Sequence, residues 1–138
     1  KPACCLNQDS SGMLYNWYAV NDPRGIAPKG WHVPSDEDWT TLINFLGGEA
    51  NAGIKLKSKT GWKSDQNGTD DFGFAGFPNG YRSLVGVYVR VSQYAYWWTS
   101  TVNSEKDAWY RNIFYNGSFV SRNYLEKQSG LSVRCVKD

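Results

Sequence analysis

Residues 28–48, PKGWHVPSDEDWTTLINFLGG, decide how the rest of the chain is read. Ser35 is placed as a helix N-cap, and Asp38 stands three residues later, where a capping box more often has Glu or Gln. Asp36, Glu37 and Asp38 put negative charge into the first turn, which the helix dipole favours. Trp39, Leu42, Ile43 and Leu46 then recur at i, i+3, i+4 and i+7, one apolar face. Gly47-Gly48 ends the pattern. The segment therefore predicts an amphipathic helix over Asp36–Leu46. Before it, Trp31-His32-Val33-Pro34 reads as a short extended segment closed by the proline.

Working outward, Met13 to Val20 is aromatic and suits either a strand or the first turn of a helix. Asn21-Asp22-Pro23-Arg24-Gly25 and Pro28-Lys29-Gly30 are turns by their chemistry. Ala50 to Lys59 has room for a second short helix, and the glycines at 61, 68, 73 and 76 mark a loop-rich stretch. After Gly80 the texture becomes β. Val85 to Val91 alternates loosely, and Tyr94 to Thr101 is rich in strand formers. Trp109, Arg111 and Ile113 alternate with Tyr110, Asn112 and Phe114. Ser118, Val120 and Arg122 alternate with Phe119, Ser121 and Asn123. A strand sends the members of each pair of sets to opposite faces. Leu131–Val136 is a last strand. A helix early, short antiparallel strands late and long loops between them indicate an α+β fold. At 138 residues the chain fits one domain spanning 1–138.

Composition narrows the function. Mixed charges summing to +2, with no basic run, argue against nucleic acid as the partner. No apolar window approaches the roughly 20 residues of a membrane span, and Lys1-Pro2-Ala3 has no signal-type apolar stretch behind it. The seven Trp, nine Tyr and six Phe exceed what a core of this size needs. Tyr interleaved with Asn and Ser is the composition of an adaptable binding surface. Trp31, Trp39, Trp97 and Trp109 are the expected core tryptophans.

Catalytic motifs are sparse. His32 is the single histidine, which leaves histidine-based zinc ligation without a second ligand. No G-x-S-x-G elbow, dinucleotide fingerprint or P-loop occurs. The expectation is that the protein is not an enzyme and needs no cofactor. Asp65, Asn67, Asp70 and Asp71 in DQNGTDD form the one oxygen cluster suited to calcium, but without the EF-hand spacing. Of the three cysteines, Cys4 or Cys5 with Cys135 would close nearly the whole chain. Such a bridge implies an oxidising compartment. Three free thiols, or a thiol dyad with His32, are the alternatives.

Several segments together resemble a known family. They are Leu14-Tyr15-Asn16-Trp17, Gly30-Trp31-His32-Val33-Pro34-Ser35 with Trp39, Leu46-Gly47-Gly48 and Phe72-Gly73-Phe74. They continue with Gly80-Tyr81-Arg82, Tyr96-Trp97-Trp98-Thr99-Ser100-Thr101, Ala108-Trp109 and Ser132-Val133-Arg134-Cys135. In this order they are similar to the Fibrobacter succinogenes major paralogous domain, common in Bacteroidetes surface proteins. The resemblance implies a C-type-lectin-like fold, related to that of formylglycine-generating enzymes, and an N-terminal segment missing here. It implies the bacterial cell surface or a virion as the location, and Cys5 as the partner of Cys135. The enzyme group's cysteine pair has no counterpart in this sequence, and neither do the lectin calcium signatures.

The C-terminal part also resembles the variable region of proteins diversified by retroelements. Tyr110, Asn112, Phe114, Tyr115, Asn116, Phe119, Ser121, Asn123 and Tyr124 are residue types that such diversification leaves. They fall between a frame of Trp109, Arg111, Ile113, Ser118, Val120, Arg122 and Lys127. If the frame turns inward its neighbours turn outward, giving an exposed aromatic-polar face with Tyr88 and Tyr94 at its rim. The expected partner is a protein or glycan ligand on a cell surface. A structural or adhesive module of a bacterial surface lipoprotein or virion, without a dedicated site, is the first alternative, and an enzyme of formylglycine-generating type is the second.

Overall fold

The computed structural model describes residues 12–138 and the backbone of Cys4–Leu6. The fold is α+β, with few helices and several small antiparallel sheets. Strand β1 (Cys4–Leu6) pairs with β2 (Met13–Tyr15), and α1 (Trp17–Val20) follows at once. The stretch read as strand or helical turn is thus both: Asn16 ends the strand and caps α1, its side chain accepting the Ala19 N–H at 3.0 Å. Strand β3 (Trp31–His32) leads into α2 (Asp36–Phe45). The capping box is complete, the Ser35 hydroxyl accepting the Asp38 N–H at 3.1 Å and the Asp38 carboxylate accepting the Ser35 N–H at 2.8 Å. A second helix, α3 (Glu49–Leu56), starts after Gly48.

The remaining elements are β4 (Tyr81–Arg82), β5 (Tyr88–Val89), β6 (Tyr94–Val102), β7 (Asp107–Phe114), β8 (Val120–Glu126) and β9 (Val136–Lys137). Strands β6, β7 and β8 form the central sheet, while β4 pairs with β5 and β3 with β9. The predicted last strand is shorter than expected. Leu131 and Ser132 make only single bridges, to Tyr15 and Trp97, and true pairing begins at Val136.

Both faces of the central sheet carry apolar residues. On one, Trp39 and Ile43 of α2 and Leu46 just after it, with Ala52 and Leu56 of α3, pack against Ala95, Trp97, Ile113 and Val120. On the other, Trp17 and Val20 of α1 and Leu131 pack against Tyr96, Trp98 and Ala108. Two indoles are also anchored by hydrogen bonds, Trp17 Nε1 to the Thr99 carbonyl at 2.9 Å and Trp98 Nε1 to the Tyr15 carbonyl at 2.8 Å. Of the expected core tryptophans, Trp39 and Trp97 are buried. Trp31 is not: it is 44% exposed, because β3 pairs only with β9 and belongs to neither cluster. Trp109, on the central strand β7, is half-buried, with the Arg122 guanidinium 3.4 Å above its ring.

Two buried cations brace the helix-covered face. Arg111, 2% exposed, reaches Asp36 at 2.9 Å and Glu49 at 3.5 Å and donates to the Thr40 hydroxyl. Asp36 therefore does more than complement the dipole of α2; it clamps that helix to the central strand. Lys57 is as deeply buried, donating to the Tyr115 carbonyl at 2.6 Å above the Trp62 ring, and burial lowers its pKa to about 8. Beside it, the Gly53 N–H donates to the Ser118 carbonyl at 2.7 Å, and a Cβ at Gly53 would lie 2.5 Å from that oxygen. Only glycine allows α3 so close to the β7–β8 turn.

Candidate functional site

The alternation of the three central strands assembles the site. Antiparallel partners share a face. Tyr94 stands opposite Phe114, Tyr96 opposite Asn112, and Trp98 opposite Tyr110. Across the next ladder Asn112 meets Ser121 and Tyr110 meets Asn123. All eight side chains thus rise from the face away from α2. At one end of that face α1 and Leu131 cover Trp98 and Ala108. At the other no described residue seals it, and a groove of about 300 Å³ remains. Tyr96 and Asn112, each 8% exposed, form its floor. Tyr94, Tyr110 and Phe114 wall it, with Ser121 and Asn123 on the β8 side.

The rings are largely occupied with one another. Tyr94 stacks on Tyr96 at 5.4 Å and meets Phe114 at 4.6 Å, while Tyr110 and Tyr81 each present an edge to Tyr96. What remains for the groove is the polar ends. The Asn112 amide and the hydroxyls of Tyr94, Tyr96, Tyr110 and Ser121 make no hydrogen bond to any described residue. Burial pushes the Tyr96 and Tyr110 phenols up, so at neutral pH both are uncharged groups that donate and accept.

One loop sets the rim. Arg90 and Ser92 both adopt positive φ, 62° in each, an uncommon conformation for residues with a side chain. The loop is held by the Ser92 N–H to the Pro78 carbonyl at 2.8 Å and the Lys63 N–H to the Ser92 carbonyl at 2.9 Å. It rides over Gly80, where a Cβ would strike the Val89 carbonyl oxygen. This fixes Arg90 at the mouth, its guanidinium 5.4 Å from the Tyr94 ring centre. No carboxylate lines the groove among the described residues.

The structure brings together Tyr94, Tyr110, Asn112, Phe114, Ser121 and Asn123 from the sequence-predicted face and separates the others. Asn112 is buried rather than exposed, and Tyr110 packs partly into the cluster around Trp98. Tyr124 is on the opposite face, its ring edge-on to Trp109 at 5.6 Å. Its position on β8 has the wrong parity to share a face with 121 and 123. Tyr115 follows the end of β7 and turns toward Trp62 and Lys57, under the Lys63 ammonium. Asn116 is exposed in the turn, Phe119 is exposed just before β8, and Tyr88 stands in β5 opposite Arg82, off the groove. Two contributors escaped the sequence reading. Tyr96 was findable, since it alternates with Tyr94; Arg90 depends on a loop conformation that the sequence does not signal.

The other candidate chemistry lies elsewhere. His32 is on the surface between Asp138 at 2.7 Å and Asp38 at 3.3 Å, and the Asp138 hydrogen bond raises its pKa. In the DQNGTDD loop, Asn67 accepts the Trp62 N–H and Asp70 the Ala75 N–H, so these oxygens serve the loop itself. Among the described residues no group of three or more His, Cys, Asp or Glu is placed to hold a metal ion. Cys135 makes no disulfide with a described residue, and burial raises its thiol pKa. The side chains of Cys4 and Cys5, and with them the expected bridge to Cys135, lie outside the described residues. Among the described residues no helix is long and apolar enough to cross a membrane.

The chain matches the model of the Fibrobacter succinogenes major domain over residues 5–137, and it belongs to that family. No curated protein and no solved structure matches it.

Proposed function

We propose that this member of the Fibrobacter succinogenes major domain family is a non-catalytic, receptor- or adhesin-type binding domain whose site is the groove on the central sheet. The observation that carries this is the Asn112 amide, which has no hydrogen-bond partner among the described residues and lines an open groove. A ligand group that pairs with this amide gains a hydrogen bond that the fold itself leaves open. The two-sided sheet, with a helix pair on one face and long loops on the other, supports a C-type-lectin-like arrangement. The surface setting of His32 and the raised pKa of Cys135 support binding without chemistry. We place the domain outside the cell, on a bacterial surface or virion, as the family resemblance suggests. The positions between the scaffold residues are those where retroelement diversification would act.

The test is binding to glycan and peptide arrays by the wild type and by a variant with Tyr94, Tyr96 and Tyr110 all changed to Phe. Binding by the wild type and its loss in the variant, with an unchanged melting curve, is expected. Unchanged binding by the variant would move the site elsewhere, and a wild type that binds nothing favours a purely structural module.

A further inference from the structure

We infer that the groove takes an acidic sugar residue, a saccharide unit bearing a carboxylate or sulfate; this rests on the groove being the binding site. The argument is donor–acceptor matching. The phenols of Tyr94, Tyr96 and Tyr110, the Ser121 hydroxyl and the Asn112 amide can each both donate and accept. That set complements a ligand whose own groups do both, as sugar hydroxyls do. It complements a peptide less well, because the ring contacts that tie Tyr94, Tyr96 and Phe114 together leave no apolar socket for an anchoring side chain.

Arg90 supplies the charge selection. A guanidinium only donates, in a planar fork that matches a carboxylate or sulfate. Among the described residues Arg90 makes no ion pair, and no carboxylate lines the groove to satisfy it or to repel an anion. The loop bonds from Ser92 and Lys63 hold it at the mouth. A hydroxyl-bearing ring therefore sits over Tyr96 and Asn112 while its acid group meets Arg90. A groove of about 300 Å³ is at the small end for ligand pockets, which suits one terminal unit of a longer glycan.

Titration calorimetry with three probes tests this: an oligogalacturonate, a sulfated galacto-oligosaccharide and the uncharged galacto-oligosaccharide. The expected result is binding of at least one acidic probe about tenfold or more tighter than the uncharged one. That preference should vanish in Arg90→Gln, and all binding should vanish in Asn112→Leu, whose melting temperature should not fall. Equal binding of charged and uncharged probes, unmoved by Arg90→Gln but lost in Asn112→Leu, overturns the acid selection and leaves the groove as the site. No saccharide binding, with peptides from a display library that bind the wild type but not Asn112→Leu, overturns the sugar assignment and likewise keeps the site. Binding untouched by Asn112→Leu overturns both.

Discussion

The two faces of the β6–β7–β8 sheet come from alternate residues of the same strands and have opposite fates. Toward α2 and α3 the buried cations find partners, Arg111 in Asp36, Glu49 and Thr40 and Lys57 in the Tyr115 carbonyl, while the Trp39 indole N–H is sealed in without one among the described residues. Toward the groove, Asn112 and Tyr96 are less deeply placed, and their polar ends reach the opening without a partner among the described residues. A missing partner therefore does not by itself mark a site; a missing partner at an opening does, since the Trp39 N–H is sealed within the core and the Asn112 and Tyr96 groups line a groove. A paired buried group has its function inside the fold, and an unpaired one facing an opening is available to something outside.

This contrast can be broken most directly on the closed face. Trp39→Ala removes an indole packed between Phe74 and Trp97 and should cost about 3–5 kcal/mol in denaturant unfolding. A loss below about 1 kcal/mol would mean that the closed face is not the core. Arg111→Met should cost about 3 kcal/mol, since it leaves Glu49 and Thr40 without their central partner and Asp36 with Arg122 alone.

The pH dependence sharpens the comparison, because the faces pull in opposite directions. In the folded chain Lys57 loses its proton near 8, whereas the unfolded chain keeps it to about 10.5. From about 8 upward the unfolded state then holds more protons, so this group makes stability rise with pH. Tyr96 and Tyr110 do the reverse. Their folded values lie above the ordinary 10, so the unfolded chain ionises first and stability falls as pH climbs past 10. Unfolding midpoints should rise between about pH 8 and 10 and then drop. Lys57→Met should abolish the rise and leave the drop.

The smallest expected change is on the open face. Asn112→Leu should alter unfolding free energy by less than about 0.5 kcal/mol, or increase it, because the amide that it removes has no partner to lose among the described residues. Destabilisation beyond about 1 kcal/mol would show that Asn112 is bonded within the fold and that the faces do not differ in kind.

Local rules made the scaffold legible. The capping box at Ser35 and Asp38 and the apolar repeat of Trp39, Leu42, Ile43 and Leu46 depend on near neighbours, and α2 follows them closely. The alternation of residues 109–114 and 120–123 between two faces held because strand alternation is equally local, whereas 118 and 119 precede β8 and lie in the turn. Trp31 is exposed because burial depends on which elements arrive from far along the chain, and among the described elements β3 pairs with β9 alone. Tyr115 and Tyr124 were assigned by residue type, where turn position and parity decide. The groove itself was read as an exposed patch. Its depth comes from α1 closing one end and the Arg90 loop raising the other, and neither follows from the strands that form its floor.

The attachment between α3 and the β7–β8 turn has a consequence for how this protein can change over time. The turn is fastened at Ser118 by the Gly53 N–H and by its own hydroxyl to the Ala50 carbonyl, and at Tyr115 by Lys57. All of these contacts lie outside the groove, and the Gly53 and Lys57 contacts are to main-chain carbonyls, which any residue supplies. The hairpin's alignment therefore does not depend on what its groove-facing side chains are. Residues 112, 114, 121 and 123 can be exchanged without the strands sliding past one another, so new specificities are accessible by substitution alone while the fold is inherited unchanged.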